Sequence, residues 1–205
     1  MQRLTVSYPI VIFLLLALSG CATTAPARFY LLSPLSGQGA PSPTAQRRVT
    51  VGIGALQLPA YVDRPQIVTR LSPNELKLAE FDQWAEPLQD NFMRVLAENL
   101  GVLLAARTVA VFPRRGSASS DYQIDVEVLR MDGTPGAEVS LAARWSISGG
   151  DEREILISRK SDFTEPTAGD GYAALVAAHS RTVAAFSREV AAALEPLLAQ
   201  SFLLK

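Results

Sequence analysis

The sequence predicts a two-layer α+β domain, an antiparallel sheet with two main helices packed on one face. Three observations carry this expectation. Two stretches place apolar residues at helical spacing, around residues 86–103 and 171–198. Several others alternate apolar and polar residues strictly, as half-buried strands do. The order along the chain is strands, helix, strands, helix, with no regular βαβ alternation, which favours segregated layers. No internal repeat is visible.

The chain opens with Arg3, then an apolar run Ile10-Val11-Ile12-Phe13-Leu14-Leu15-Leu16-Ala17-Leu18 free of acidic residues. That run is too short for a membrane-crossing helix, which needs ~20 apolar residues. A cation, a short apolar stretch and small residues at its end make residues 1–20 a secretory signal peptide. Leu18-Ser19-Gly20-Cys21 resembles the lipobox of bacterial prolipoproteins. Leu18 suits the apolar site of a membrane-embedded peptidase, Ser19 and Gly20 are small enough to pass its active site, and Cys21 supplies the only thiol. The resemblance implies a thioether-linked diacylglycerol on Cys21, with an N-acyl chain added. Two or more chains anchor stably, at ~0.8 kcal/mol per buried CH₂. Ala22 after the cysteine lacks the inner-membrane retention signal expected of an Asp there. The expectation is therefore the periplasmic side of the outer membrane, with the inner membrane as the alternative. Residues 21–27 are a short tether, and 28–205 are a single domain.

Within that domain, Arg28 to Leu32 reads as a first strand, close to the anchor. Residues 33–46, rich in Pro, Gly and Ser, read as a mobile loop. Arg48 to Leu58 alternates Val49, Val51, Ile53 and Ala55 with Thr50, Gly52 and Gly54, a strand that Pro59 stops. The two glycines mark a strand needing close backbone approach rather than a nucleotide loop. Residues 58–65 are a bend, since Pro65 cannot sit centrally in a sheet. Gln66 to Arg70 and Glu75 to Ala79 read as short strands joined by the turn Ser72-Pro73-Asn74. Pro87 suits the first turn of a helix, which carries Leu88, Phe92, Val95, Leu96, Asn99, Leu100 and Leu103 on one face. A strand over 107–112 and a loop over 114–120 follow. Tyr122 to Val128, Val139 to Ile147, and Arg153 to Phe163 with Ile155 and Ile157 are three strands of a sheet with one wet face. The last helix aligns Tyr172, Leu175, Val176, His179, Val183, Phe186, Val190, Ala193, Leu194 and Leu197.

Composition narrows the function classes. The chain has 19 Lys+Arg against 20 Asp+Glu, a near-neutral balance with no basic patch for nucleic acid. The only cysteine is consumed by the lipid, which excludes disulfides, a thiol nucleophile and thiolate metal sites. The one histidine, His179, lies on an apolar helix stripe and reads as a packed, hydrogen-bonded residue. No Gly-x-Ser-x-Gly elbow accompanies it. Asp125 and Glu127 fall on the wet side of a strand, and Asp162, Glu165 and Asp170 match no calcium-loop spacing. No catalytic constellation, metal site or cofactor is expected; the only prosthetic chemistry is the lipid on Cys21.

Several segments, taken in order, resemble the PqiC family, also described as ABC-type transport auxiliary lipoproteins. They are Phe29-Tyr30-Leu31-Leu32, Gly52-Ile53-Gly54, Leu58-Pro59-Ala60-Tyr61-Val62-Asp63-Arg64-Pro65-Gln66-Ile67-Val68-Thr69-Arg70, Leu78 to Leu88 with Phe81 and Trp84, Val95 to Leu100, Asp121-Tyr122, Ala143-Arg144-Trp145, and Ala174 to Ser180. His179 stands where the family is expected to carry Gln. The resemblance implies a non-enzymatic lipoprotein working beside MCE-domain proteins and inner-membrane transport components, which move lipids or other hydrophobic molecules across the periplasm. It also implies a homo-oligomeric ring as an assembly suited to such a partner. A lipid-carrying domain and a structural envelope protein are the competing readings.

Tyr61, Asp63, Arg64 and Trp84 are the candidate partner-binding residues. The bend is rigid, and Tyr, Trp and Arg are the types enriched in interface hot spots. Trp84 fits equally well as a plug at the end of the core, and Phe81 fits that role better than a contact role.

Overall fold

The computed structural model describes residues 25–37, 49–104, 109–113, 120–149 and 154–203. Leu18, Ser19, Gly20 and Cys21 lie outside the described residues, as do 38–46 of the expected loop. Ten elements follow in order: β1 Arg28–Tyr30, β2 Val49–Gln57, β3 Gln66–Ser72, β4 Glu75–Trp84, α1 Leu88–Leu103, β5 Val109–Pro113, β6 Tyr122–Gly133, β7 Glu138–Gly149, β8 Glu154–Pro166 and α2 Tyr172–Leu203. The α+β class stands.

The sheet expectation needs a correction. There are two sheets: a five-stranded one in the order β5-β2-β6-β7-β8, and a three-stranded one in the order β1-β4-β3. Nor is the pairing antiparallel throughout. β2 runs parallel to both β5 and β6, and β1 runs parallel to β4. α1 carries the chain from β4 back to β5, a crossover of the kind that a parallel β2–β5 pair requires. β6, β7 and β8 form the antiparallel meander that their alternation announces, and β3 and β4 pair antiparallel as well.

Both helices lie on one face of the large sheet, α1 against β5 and β2, α2 against β7 and β8. The seam between them is filled by aromatic side chains. Phe186 sits 6.2 Å, centroid to centroid, from each of Phe92, Trp145 and Phe163, and edge-to-face with Trp145. Such pairs add ~0.5–1.5 kcal/mol beyond the area they bury. Trp145 keeps its indole N–H satisfied by donating to Ser161 Oγ at 3.0 Å. The apolar faces of both helices are therefore spent on each other and on the sheet.

Polar residues on those faces also have partners. Asn99, fully buried, accepts the Leu35 amide at 2.7 Å and donates to Ser187 Oγ at 3.0 Å. Asn91 accepts the Leu32 amide at 2.7 Å, and Ser180 Oγ accepts that of Ser33 at 3.0 Å. The segment after β1 has no ladder of its own, so these three side chains supply partners for its amides, the buried one of Leu32 included.

At Gly54 the close approach expected from the sequence is explicit. The β2–β6 register slips between Ile53 and Leu56, forming a bulge. Asp125 turns over it and accepts the freed Ala55 amide at 2.7 Å. A Cβ at position 54 would collide with the Asp125 and Gln123 side chains. The wet-face carboxylates are thus structural: Asp125 caps the bulge, and Glu127 pairs with Arg144.

Ile155 departs from its expected inward role. A shift in the β7–β8 pairing sets it opposite Ser148 on the wet face, 65% exposed.

Candidate docking site

The bend between β2 and β3 is held from both ends. The Val62 and Asp63 amides donate to Pro59 O at 3.0 and 3.3 Å, and the Arg64 amide to Val62 O at 2.9 Å. Val62 is buried in the core and Tyr61 is half-buried against it, so the next three residues, Asp63, Arg64 and Pro65, are pushed into solvent. The Trp84 amide then donates to Pro65 O at 2.7 Å, locking the outer limb of the bend to the end of β4.

The result is a cleft of about 350 Å³ between the bend and the start of α1. Trp84 and Leu88, both buried, belong to its floor, while Asp63, Arg64 and Pro65 form one wall and Glu86 contributes to the other. Glu86 is fixed in place, since its Oε1 accepts from Asn91 Nδ2 at 2.7 Å and Arg94 at 2.8 Å. The cleft thus joins an apolar floor to charges of both signs, of which Glu86 is held by side-chain hydrogen bonds.

Of the four residues expected from the sequence, the structure brings Asp63, Arg64 and Trp84 together and turns Tyr61 elsewhere. The Tyr61 hydroxyl donates to Asp132 Oδ2 at 2.7 Å. Asp132 is fully buried and also receives a forked pair from Arg70, at 2.8 and 2.7 Å, and Arg130 Nε at 3.0 Å. Burial alone would raise its pKa. The three donors outweigh that and hold it down at about 2, so the carboxylate stays charged. Tyr61 responds in the opposite sense: burial first, then the neighbouring carboxylate, pushes its hydroxyl up to about 12. Asp132 is therefore the pin that ties the bend to β3 and β6. Nothing in the sequence singles it out, because its partners Tyr61 and Arg70 lie far away in the chain.

A second buried carboxylate pins β1. Asp82 accepts from Arg28 and from the Tyr30 hydroxyl, at 2.8 and 2.7 Å. Phe81 is partly buried at the same strand end, in keeping with its structural reading.

His179 is packed in the core as expected, but its Nδ1 is buried without a hydrogen-bond partner. Burial pushes the imidazole pKa down to about 4, a shift the more distant Asp132 charge only partly opposes. A neutral, enclosed ring away from the cleft offers no proton to a substrate. Among the described residues no group of His, Cys, Asp and Glu could hold a metal ion, and no helix is long and apolar enough to cross a membrane.

Comparison with known proteins gives the family and the fold. A family model described as "ABC-type transport auxiliary lipoprotein component" matches residues 30–191. An uncharacterized protein of known crystal structure is 20% identical with a TM-score of 0.68, over 83% of this chain and 100% of its own. A Xanthomonas campestris protein of family DUF330 is 18% identical with a TM-score of 0.65, over 87% of this chain and 100% of its own. At these identities the two structures speak for the fold alone. No curated protein matches the chain.

Proposed function

The chain belongs to the ABC-type transport auxiliary lipoprotein family, and from that premise we propose that it is a non-enzymatic, lipid-anchored component of a trans-envelope system moving lipids or other hydrophobic molecules. Cys21 carries the anchor, held in the outer membrane and facing the periplasm. An MCE-domain protein of the transport system is the partner, and the cleft of Asp63, Arg64 and Trp84 is where it docks. Homo-oligomerisation into a ring would present several such clefts to one partner.

The observation that supports the docking role is the cleft itself. Two exposed charges stand beside a buried tryptophan, on a bend held by Asp132 through Tyr61. The carrier reading rested on the apolar faces of the helices, and the Phe92–Phe186–Trp145 seam accounts for those faces. The test is affinity capture of the lipidated protein from envelopes, comparing wild type with Arg64→Glu. Because Arg64 is exposed, the substitution leaves stability within ~0.5 kcal/mol. Loss of the MCE-domain protein from the captured material, with unchanged thermal melting, supports the cleft. Equal recovery from both proteins places the docking surface elsewhere.

A further inference from the structure

Two apolar side chains of β1 and its exit have no place in the core. Phe29 is 63% exposed and Leu31 is 43% exposed. Alternation sets them on the face opposite Arg28 and Tyr30, whose polar atoms hold Asp82. The mount is firm: β1 pairs in register with β4, the Ala85 amide donates to Tyr30 O at 2.9 Å, and the Leu32 amide donates to Asn91. Turning Phe29 inward would break both bonds to Asp82 and the ladder with β4. Its register partner, Gln83, is uncharged, so no carboxylate lies directly across from it.

Chain length says what covers this pair. An extended chain spans at most 3.3–3.6 Å per residue, so Phe29, eight residues after Cys21, lies within roughly 28 Å of it. If Cys21 is in the bilayer, the first exposed aromatic of the domain is within reach of the same leaflet.

We infer that Phe29 and Leu31 are a membrane contact, dipping into the headgroup region of the leaflet that holds the Cys21 lipid and so fixing how the domain stands on it. The inference rests on the reading of Cys21 as lipidated. Aromatic rings suit that interfacial layer. An acyl anchor alone leaves a domain free to swivel; a rigid apolar pair beside it removes that freedom and points the remaining surface, the cleft included, in a set direction.

The test uses the lipidated protein, purified from envelopes and reconstituted into phosphatidylcholine–phosphatidylglycerol vesicles with or without brominated acyl chains. The two native tryptophans, Trp84 and Trp145, are 7% and 1% exposed and so report little of the solvent or lipid outside. In Phe29→Trp, and separately in Leu31→Trp, the added emission is expected to fall roughly twofold with brominated lipid, as for a side chain at the headgroup–acyl boundary. Wild type and Ile155→Trp, a probe on the other sheet, are expected to stay unquenched. Intact mass of the same sample reports acylation independently. Acylated protein with an unquenched Trp at 29 and 31 overturns the contact while leaving the anchor in place. Equal quenching at 155 overturns it as non-specific adsorption. Protein without acyl chains refutes the anchor, and the contact with it.

Discussion

Lowering the pH below about 6.5 should destabilise this domain through a single side chain, that of His179. His179 has an ordinary pKa near 6.5 in the unfolded chain and is held at about 4 when folded, chiefly by burial. Its depressed pKa means that the unfolded chain takes up a proton first. Stability from this group is complete above pH 6.5 and is lost progressively as pH falls toward 4. A tenfold difference in proton affinity is worth 1.36 kcal/mol, so the full effect is about 3 kcal/mol, with roughly 2 kcal/mol already lost at pH 5. The mechanism is local: Nδ1 has no partner to share a positive charge with, and the ring is enclosed. The assay is urea unfolding followed by fluorescence of the buried Trp84 and Trp145, at intervals from pH 7.5 to 4.5. Wild type should lose stability over this range, and His179→Gln, which cannot titrate, should run nearly flat. Parallel curves for the two proteins would refute the reasoning.

Other perturbations test other joints. Asp132→Ala strips the partners from Arg70, Arg130 and Tyr61 at once; it should cost about 3–5 kcal/mol in urea unfolding, as breaking a buried ion pair does, and weaken partner capture by freeing the bend. Because the folded pKa of Asp132 is depressed from 3.8 to about 2, its own contribution should vanish only as pH falls below about 4, measurable as a second loss of stability absent from Asp132→Ala. Gly54→Ala should drive Asp125 off the Ala55 amide and cost about 1–3 kcal/mol, read as a lower thermal midpoint. Asn99→Leu should leave the Leu35 amide unsatisfied and accelerate its hydrogen exchange at least as much as it lowers global stability.

Where the local pattern decides the structure, the sequence sufficed. The alternation of Tyr122 to Val128 and Val139 to Ile147 identified β6 and β7, and Pro87 marked the start of α1. Sheet partners were a different matter. Whether β2 runs parallel or antiparallel to β6 depends on where α1 returns the chain, and periodicity along β2 carries no trace of that. Bulges were also silent: the slip that turns Ile155 outward is a property of the β7–β8 pair, not of either strand alone. In the cleft, the bend with Arg64 and the strand-to-helix junction with Trp84 are each legible from proline spacing and residue types, but not that they face one another. Tyr61 reads as a partner-binding residue, because its own partner, Asp132, lies 71 residues further on. Asn99 is legible only as a polar residue on an apolar helix face, and the amides that it and Asn91 accept come from the segment over 32–35, far away in the chain.

The central claim is that the cleft between the bend and α1 meets a transport partner. A photo-cross-linking amino acid at position 63, in the lipidated protein within intact envelopes, tests it most directly, with adducts identified by mass spectrometry. The account predicts an adduct with an MCE-domain protein, diminished by Arg64→Glu. An adduct with peptidoglycan-associated proteins alone, unaffected by Arg64→Glu, would contradict it and assign this chain a structural role in the envelope.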